Sequence, residues 1–456
     1  MILAIYDMSG IQKFIFATNK IREIIGASII VHDALYENIP ELFDEKNWQE
    51  NNTFSSDKSG IVYIGGGNAL VLYETEEEYQ EKTTTLLENV FLQSGGAIRV
   101  FSAFIELDEK KSFSENQKDL MSELDKRKKS GGTSVPVALL PIMAYDNNNF
   151  EPQILADENT YSSMSRYLKK QKKSDNKGCF FDDLAPKGCS FKNDFEDSRD
   201  LDQKNYQAII HIDGNTMGIK IREAVSELKG NLLEQLNGMK KLSIEISNVY
   251  KSALKEAIDK TFENESGPID FRPIIMDGDD ITVMIKSEKA FRFVENFMTK
   301  LSEKKFETIK NFNPTAAAGI AFVKLKYPFS IAYEIAEECC HNAKKTTIKR
   351  CGGSENFNKS PMSSVDWQIC FSNISDEISA YSRLFILRSE SQRFKRAVIE
   401  KCQRRCRDPR NCMGGHFQIA FCNDTRQNKP RKRRRIHKGP FRICRRGKGR
   451  GIKNRF

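Results

Sequence analysis

The sequence has no long hydrophobic run: charged residues interrupt every apolar stretch before it reaches the roughly 18 residues of a membrane span. No membrane contact is therefore expected. The first residues, MILAIYDMSGIQKFIF, carry no basic leader and hold Asp7 inside the apolar run. They do not read as a secretory signal, so a cytoplasmic location is the expectation. Paired CxxC spacing is also absent. The 11 cysteines are scattered, as reduced thiols are, which argues against a disulfide framework. Cys179 and Cys189 lack the second pair of a zinc site, so a structural role is the expectation for them. Histidine is scarce, with 5 in 456 residues, and the dipeptide His32-Asp33 has no other histidine nearby. It reads as chance rather than as a nuclease centre.

Of the residues present, 39% are hydrophobic and 29% charged, enough apolar material for two or three domains with cores of their own. The net charge of +10 hides an asymmetry. From Tyr381 onward there are 18 Arg and 7 Lys against 4 acids, an excess of 21, so residues 1–380 carry a net −11. The body is mildly acidic and the tail strongly basic.

Pro273 to Ile285, PIIMDGDDITVMI, is the most informative stretch. It reads as strand, tight turn and returning strand, with Asp277-Gly278 as the turn dipeptide and Asp279 and Asp280 side by side at the tip. Two carboxylates about 4 Å apart repel by roughly 4 kcal/mol at an effective dielectric near 20. A hard divalent cation, magnesium or manganese, removes that repulsion. A solvated acidic tip is the plain alternative, and context decides between them.

That context is a repeat. Ile2–Tyr6 is a strand, 11–35 a helix, Ile61–Tyr73 a strand–glycine turn–strand, 76–92 a helix, 97–107 a strand and 114–129 a charged helix. The order returns with a strand at 208–212, helices at 218–228 and 232–262, and the DGDD hairpin. A helix at 288–309, a strand at 316–324 and a helix at 329–345 complete it, with Tyr327-Pro328-Phe329 breaking the chain before the last. Asp7 to Gly67 spans 60 residues and Asp213 to Asp279 spans 66. Shared order and spacing predict an α+β fold of two ferredoxin-like βαββαβ units. The expected divisions are residues 1–135, a connector over 136–204, a second unit over 205–375 and a basic tail over 376–456. Such a sheet brings Asp213 within reach of Asp279 and Asp280, which favours a two-metal site. Cys339-Cys340-His341 lies in the closing helix and reads as core packing.

GIQKFIF with NKIREIIGAS, the GGGN hairpin, IDGNTMG, the DGDD turn and AAGIAFVKLKYPFSIAYEIAEECCHNAKK occur in one order that resembles the large polymerase-like subunit of type III CRISPR effectors. The resemblance covers about residues 1–374. It implies two palm domains, with catalysis in the second and a degenerate hairpin in the first. It also implies synthesis of cyclic oligoadenylates from ATP as antiviral second messengers.

Carried across, Asp279 and Asp280 are the catalytic, metal-holding aspartates and Asp213 the acidic first-strand ligand. Gly65, Gly66, Gly67 and Asn68 match the inactive hairpin that helps to hold a second ATP. Gly214, Asn215, Gly278 and Lys344 are further nucleotide-binding candidates. Asp277 stands where the family has glycine, and either adds a ligand or crowds the nucleotide. No HD nuclease precedes the first palm in this sequence. The family's cysteine-rich zinc element and helical C-terminal domain are also missing, so a palm-only relative is expected.

The rival reading is a catalytically weak palm scaffold in an RNA-guided complex. Expected partners are ATP, RNA or other effector subunits, with a homo-oligomer left open; a primer-extending polymerase ranks last. For the tail three readings stand: phosphate binding to RNA or DNA by a disordered basic segment, zinc chelation by Cys402, Cys406, Cys412, His416 and Cys422, or a shifted reading frame.

Overall fold

The computed structural model describes residues 1–45, 48–49, 59–130, 143–147, 149, 151–157, 160–175, 181–192, 206–310, 312–325, 327–370 and 417–420. The first half contains β1 (Ile2–Ser9), α1 (Ile21–Tyr36), β2 (Gly60–Gly65), β3 (Asn68–Tyr73), α2 (Glu76–Ser94), β4 (Arg99–Glu106) and α3 (Phe113–Lys129). Its strands lie antiparallel in the order β2-β3-β1-β4. Helix ends follow local chemistry. Thr75 caps α2 by accepting from the Glu78 N–H, and three glutamates occupy its electropositive first turn. Ser112 and Glu115 form a capping box at the start of α3.

A helix of the connecting stretch, α4 (Met164–Asp175), precedes the second half. There follow β5 (Tyr206–Gly214), α5 (Met217–Ser226), α6 (Leu232–Thr261), β6 (Phe271–Asp277), β7 (Asp280–Lys286), α7 (Ala290–Ser302), β8 (Ala316–Lys324), α8 (Phe329–Arg350), β9 (Ser364–Ile369) and β10 (Phe417–Ala420). The strand order is β6-β7-β5-β8-β9-β10, with only the β8–β9 pair parallel. Both halves thus have a ferredoxin-like core, and the fold is α+β as expected.

The halves do not keep separate cores. One cluster joins Leu3, Ile5, Leu70 and Leu72 to Ile210, Ile212, Tyr250 and Leu254. The other joins Ala4, Tyr6 and Val71 to Ile209, Met284, Ala332 and Ala336. Strand alternation explains this, since odd and even residues of β1 and β5 enter different clusters. Helix α6 of the second half lies against β2 of the first, and α1 of the first lies against β6 of the second. The Ser28 hydroxyl on α1 donates to the Ile274 carbonyl on β6. This reciprocal docking sets the two hairpins facing each other.

Several elements depart from sequence expectation. The helix expected over 11–35 breaks into a single turn, Ile11–Ile15, and α1. The helix expected over 288–309 is only α7, Ala290–Ser302. The connecting stretch is bound to the body: a Cβ on Gly26 of α1 would stand 1.8 Å from the Lys169 carbonyl of α4, so the two helices touch backbone to backbone. Beside that contact, buried Arg166 donates to both Glu23 oxygens, at 3.0 and 2.8 Å, and to both Asp146 oxygens, at 2.7 and 2.5 Å. Burial would raise Glu23, but the bonds from Arg166 and Thr18 outweigh it and hold the carboxyl below its usual range. Of the stretch read as a basic tail, Phe417–Ala420 adds an edge strand to the second sheet. Its remaining residues lie outside those described, as do Cys179 and the five candidate zinc ligands. No helix among the described residues is long and apolar enough to cross a membrane.

Candidate active site

Asp277 pairs with Asp280 across the β6–β7 ladder, so the turn is Gly278–Asp279, one residue later than the sequence reading. Gly278 adopts φ +61°, which is why glycine stands at the first turn position. The shift separates the two aspartates. Asp280 opens β7 directly opposite Asp213 at the end of β5, on the sheet face that carries His211 and Thr282. Asp279 occupies the turn, and its carbonyl accepts from the Gly214 N–H at 3.2 Å. Its carboxylate leans over Gly214 toward α6: a Cβ there would lie 2.6 Å from Asp279 Oδ2 and 2.5 Å from the Tyr250 hydroxyl. The three carboxylates therefore gather at one sheet end, but wrap around it rather than lying side by side.

Their charges are only partly compensated. Burial and then the Asp213 charge push the Asp279 carboxyl up to about 6, and the same causes push Asp280 up to about 8. One buried oxygen of Asp280 accepts no hydrogen bond. His211 Nδ1 lies 3.4 Å from it, but burial depresses that imidazole to about 4, so it brings no positive charge. Lys344 on α8 is the cation present, with Nζ 2.5 Å from Asp213 Oδ2 and 2.9 Å from the Gly214 carbonyl. It is thus placed on a carboxylate rather than pointing free into the crevice. Asn215 is buried, and its amide donates to Thr315 Oγ1 and the Met362 carbonyl, both at 3.1 Å. That side chain holds the loop together.

The first hairpin turns at Gly66–Gly67, with φ +64° and +70°, between the paired residues Gly65 and Asn68. Its two turn amides point across to the second hairpin. Gly66 N–H donates to Asp277 Oδ1 at 2.6 Å and Gly67 N–H to Asp277 Oδ2 at 2.7 Å. The Tyr36 hydroxyl donates to Oδ1 at 3.3 Å. Asn68 turns back to donate to the Gly66 carbonyl at 2.8 Å. Asp277, read as an added ligand or an obstruction, instead bridges the two hairpins.

Sequence reasoning passed over three side chains here. His211 had a signal, since it precedes Asp213 by two residues on the same strand face. Tyr250, fully buried with an unpartnered hydroxyl beside Asp279, and Tyr36 lie on helices whose approach only the tertiary fold sets.

The donor set suits a hard divalent cation: three carboxylates, two of them with raised proton affinity and one buried oxygen without a donor. These carboxylates do not converge as tightly as one other group does. Among the described residues, the trio with ligand atoms all within 4.8 Å of one another is His32, Asp33 and Glu37. There Asp33 is already bound to Lys172 at 2.6 Å and the His32 ring stacks on Tyr36. That trio lies at the C-terminal end of α1, with His32 and Asp33 half-buried and Glu37 exposed.

Residues 206–351 match the family model described as Cas10/Cmr2, second palm domain. Over that stretch the chain is similar to the Cas10-type palm domain. No curated protein matches. Solved structures that match include the Csm1-Csm4 cassette in complex with cA4 and with one ATP, each 12% identical over 76% of this chain with a TM-score of 0.47. The same cassette with AMPPNP matches at 14% identity and a TM-score of 0.45. The chain spans about half of those chains, 53% of their length.

Proposed function

We propose that the protein is a metal-dependent nucleotidyltransferase that joins ATP into a cyclic or linear oligoadenylate, as a palm subunit of a type III CRISPR effector acting in antiviral defence. On this reading residues 1–135 and 205–375 are the two palms, 136–204 the connector and 376–456 a basic extension available to RNA. The observation that carries it is the placement of Asp213 opposite Asp280, with Asp279 over Gly214, at a sheet end that faces a glycine hairpin.

Asp213, Asp279 and Asp280 would hold magnesium or manganese. Such ions supply activation of a ribose hydroxyl and stabilisation of leaving pyrophosphate. The chain's own groups do the rest. Lys344, held on Asp213 and the Gly214 carbonyl, would supply a positive charge for a triphosphate oxygen beside the carboxylates. Gly278, with open space where a Cβ would stand, keeps the backbone low enough for a phosphate to approach. The glycine amides at Gly65–Gly67, with Asn68, face the same crevice from the first palm. Effector subunits and RNA are the partners this reading implies.

The test is incubation of the purified chain with ATP and magnesium or manganese, followed by mass spectrometry of the products. Adenylate oligomers and pyrophosphate are expected from the native chain. The double variant Asp279→Asn, Asp280→Asn should fold and release neither. Release of pyrophosphate at an undiminished rate by that variant would remove the assignment. A catalytically weak scaffold is the second reading, favoured by the Asp277 bridge, and it predicts no product from either protein.

A further inference from the structure

The contact between the hairpins has the form of an anion site. Two consecutive backbone N–H groups, at a turn where both residues have positive φ, converge on one anionic group; this is how backbone nests hold phosphates. Here the anion is a carboxylate from the opposite half. Gly66 and Gly67 each address a different oxygen of Asp277, and Tyr36 adds a third donor. Asp277 ends β6 directly before the turn residue Gly278, so the carboxylate is carried at the base of the turn.

We propose that Asp277 is a tethered stand-in for a phosphate. It fills a phosphate-class cradle at Gly66–Gly67, locks the two hairpins together, and closes the first hairpin to a second nucleotide until it is displaced. The inference rests on the nucleotide reading above for the identity of the natural ligand, but not for the existence of the cradle. Because the competitor is attached, a free phosphate must exceed its effective concentration, which for short tethers is on the order of millimolar. The native chain therefore takes one nucleotide, on the second hairpin. A chain without this carboxylate takes two. Asp277 is a specificity-determining and positioning residue on this account.

The experiment uses the full chain and two probes. Amide hydrogen exchange of the peptide containing Gly66 and Gly67 is followed with and without inorganic tripolyphosphate, which needs no nucleotide chemistry. The native chain should exchange slowly there and be unaffected by the probe. Asp277→Gly should exchange at least tenfold faster, and tripolyphosphate should restore protection. Exchange at the native rate in Asp277→Gly, or equal protection of both proteins by tripolyphosphate, overturns the cradle.

Should Asp277→Gly lose its fold, Asp277→Asn decides the matter. It keeps the size and one acceptor, so intermediate exchange supports the proposal and native exchange defeats it. Equilibrium dialysis with a non-hydrolysable ATP analogue and magnesium then separates the two readings. One bound nucleotide in the native chain and two in Asp277→Gly supports both. No nucleotide bound by either protein, with the exchange results as expected, removes the nucleotide reading and leaves the cradle standing. Two nucleotides in the native chain overturns the closure while keeping the nucleotide reading.

Discussion

The two hairpins hold equivalent places in their sheets and carry opposite chemistry, though both turn residues of the first have positive φ and only Gly278 of the second does. In the first, Gly65 pairs with Asn68, Gly66–Gly67 turn, and Asn68 lies opposite Asp7 on β1. In the second, Asp277 pairs with Asp280, Gly278–Asp279 turn, and Asp280 lies opposite Asp213 on β5. Position by position, three carboxylates of the second hairpin stand where the first has glycine, glycine and an amide. The strand acids diverge as well. Both meet a lysine, Asp7 with Lys128 at 2.7 Å and Asp213 with Lys344 at 2.5 Å, but Asp7 faces neutral Asn68 whereas Asp213 shares its neighbourhood with Asp279 and Asp280. The first copy has no carboxylates on its hairpin, and its bare turn amides bind a carboxylate of the other copy. Charge-assisted bonds of this kind contribute about 1.5–3 kcal/mol each when shielded, and less where water reaches them, as at Gly66. The difference between the copies is therefore also what joins them.

The comparison can be broken most severely at Gly214. Gly214→Ala would drive a Cβ into the Asp279 carboxylate and the Tyr250 hydroxyl. ATP turnover is expected to fall at least about 100-fold, as for an ångström-scale displacement of catalytic groups, while circular dichroism stays native. The matching probe of the first hairpin acts on stability instead. Gly67→Ala forces a side chain into positive φ, at about 1–2 kcal/mol, with its Cβ 2.7 Å from the flexible end of Ile11. Scanning calorimetry should show the midpoint lowered by about 2–4 °C. The smallest effect sharpens the contrast of charge. Asn68→Asp restores a carboxylate opposite Asp7, and the cross-strand repulsion should lower stability by about 0.2–1 kcal/mol in denaturant titrations at low salt. Added salt should shrink that loss, because the hairpin tip is open to solvent.

Much of this is legible in the chain. Asp-Gly and Gly-Gly between apolar alternations announce hairpins, because few residues accept positive φ and glycine does so freely. The recurrence of strand, helix and hairpin at matching intervals announces two copies, and Asp213 with Asp280 follows from the strand order of the fold. The sequence places the second turn one residue early, at Asp277. Asp-Gly and Gly-Asp are both acceptable turn dipeptides, and only the ladder partner of Asp280 chooses between them. The connecting stretch reads as a linker because its polar residues have no local explanation. Arg166 finds Glu23 from 143 positions away, and no window of sequence contains both.

What the chain alone determined was every feature set by near neighbours: which stretches alternate, where glycine permits a reversal, and how many carboxylates stand at one strand end. The tertiary structure decided what those groups meet. Asp279 was sent to Tyr250, Lys344 to Asp213, and Asp277 into the amides of the other half. The physical reason is that turns and strands follow from local φ and ψ and side-chain alternation, whereas a charge takes its role from the nearest partner in space. For Asp277 that partner arrives on the hairpin of the opposite copy.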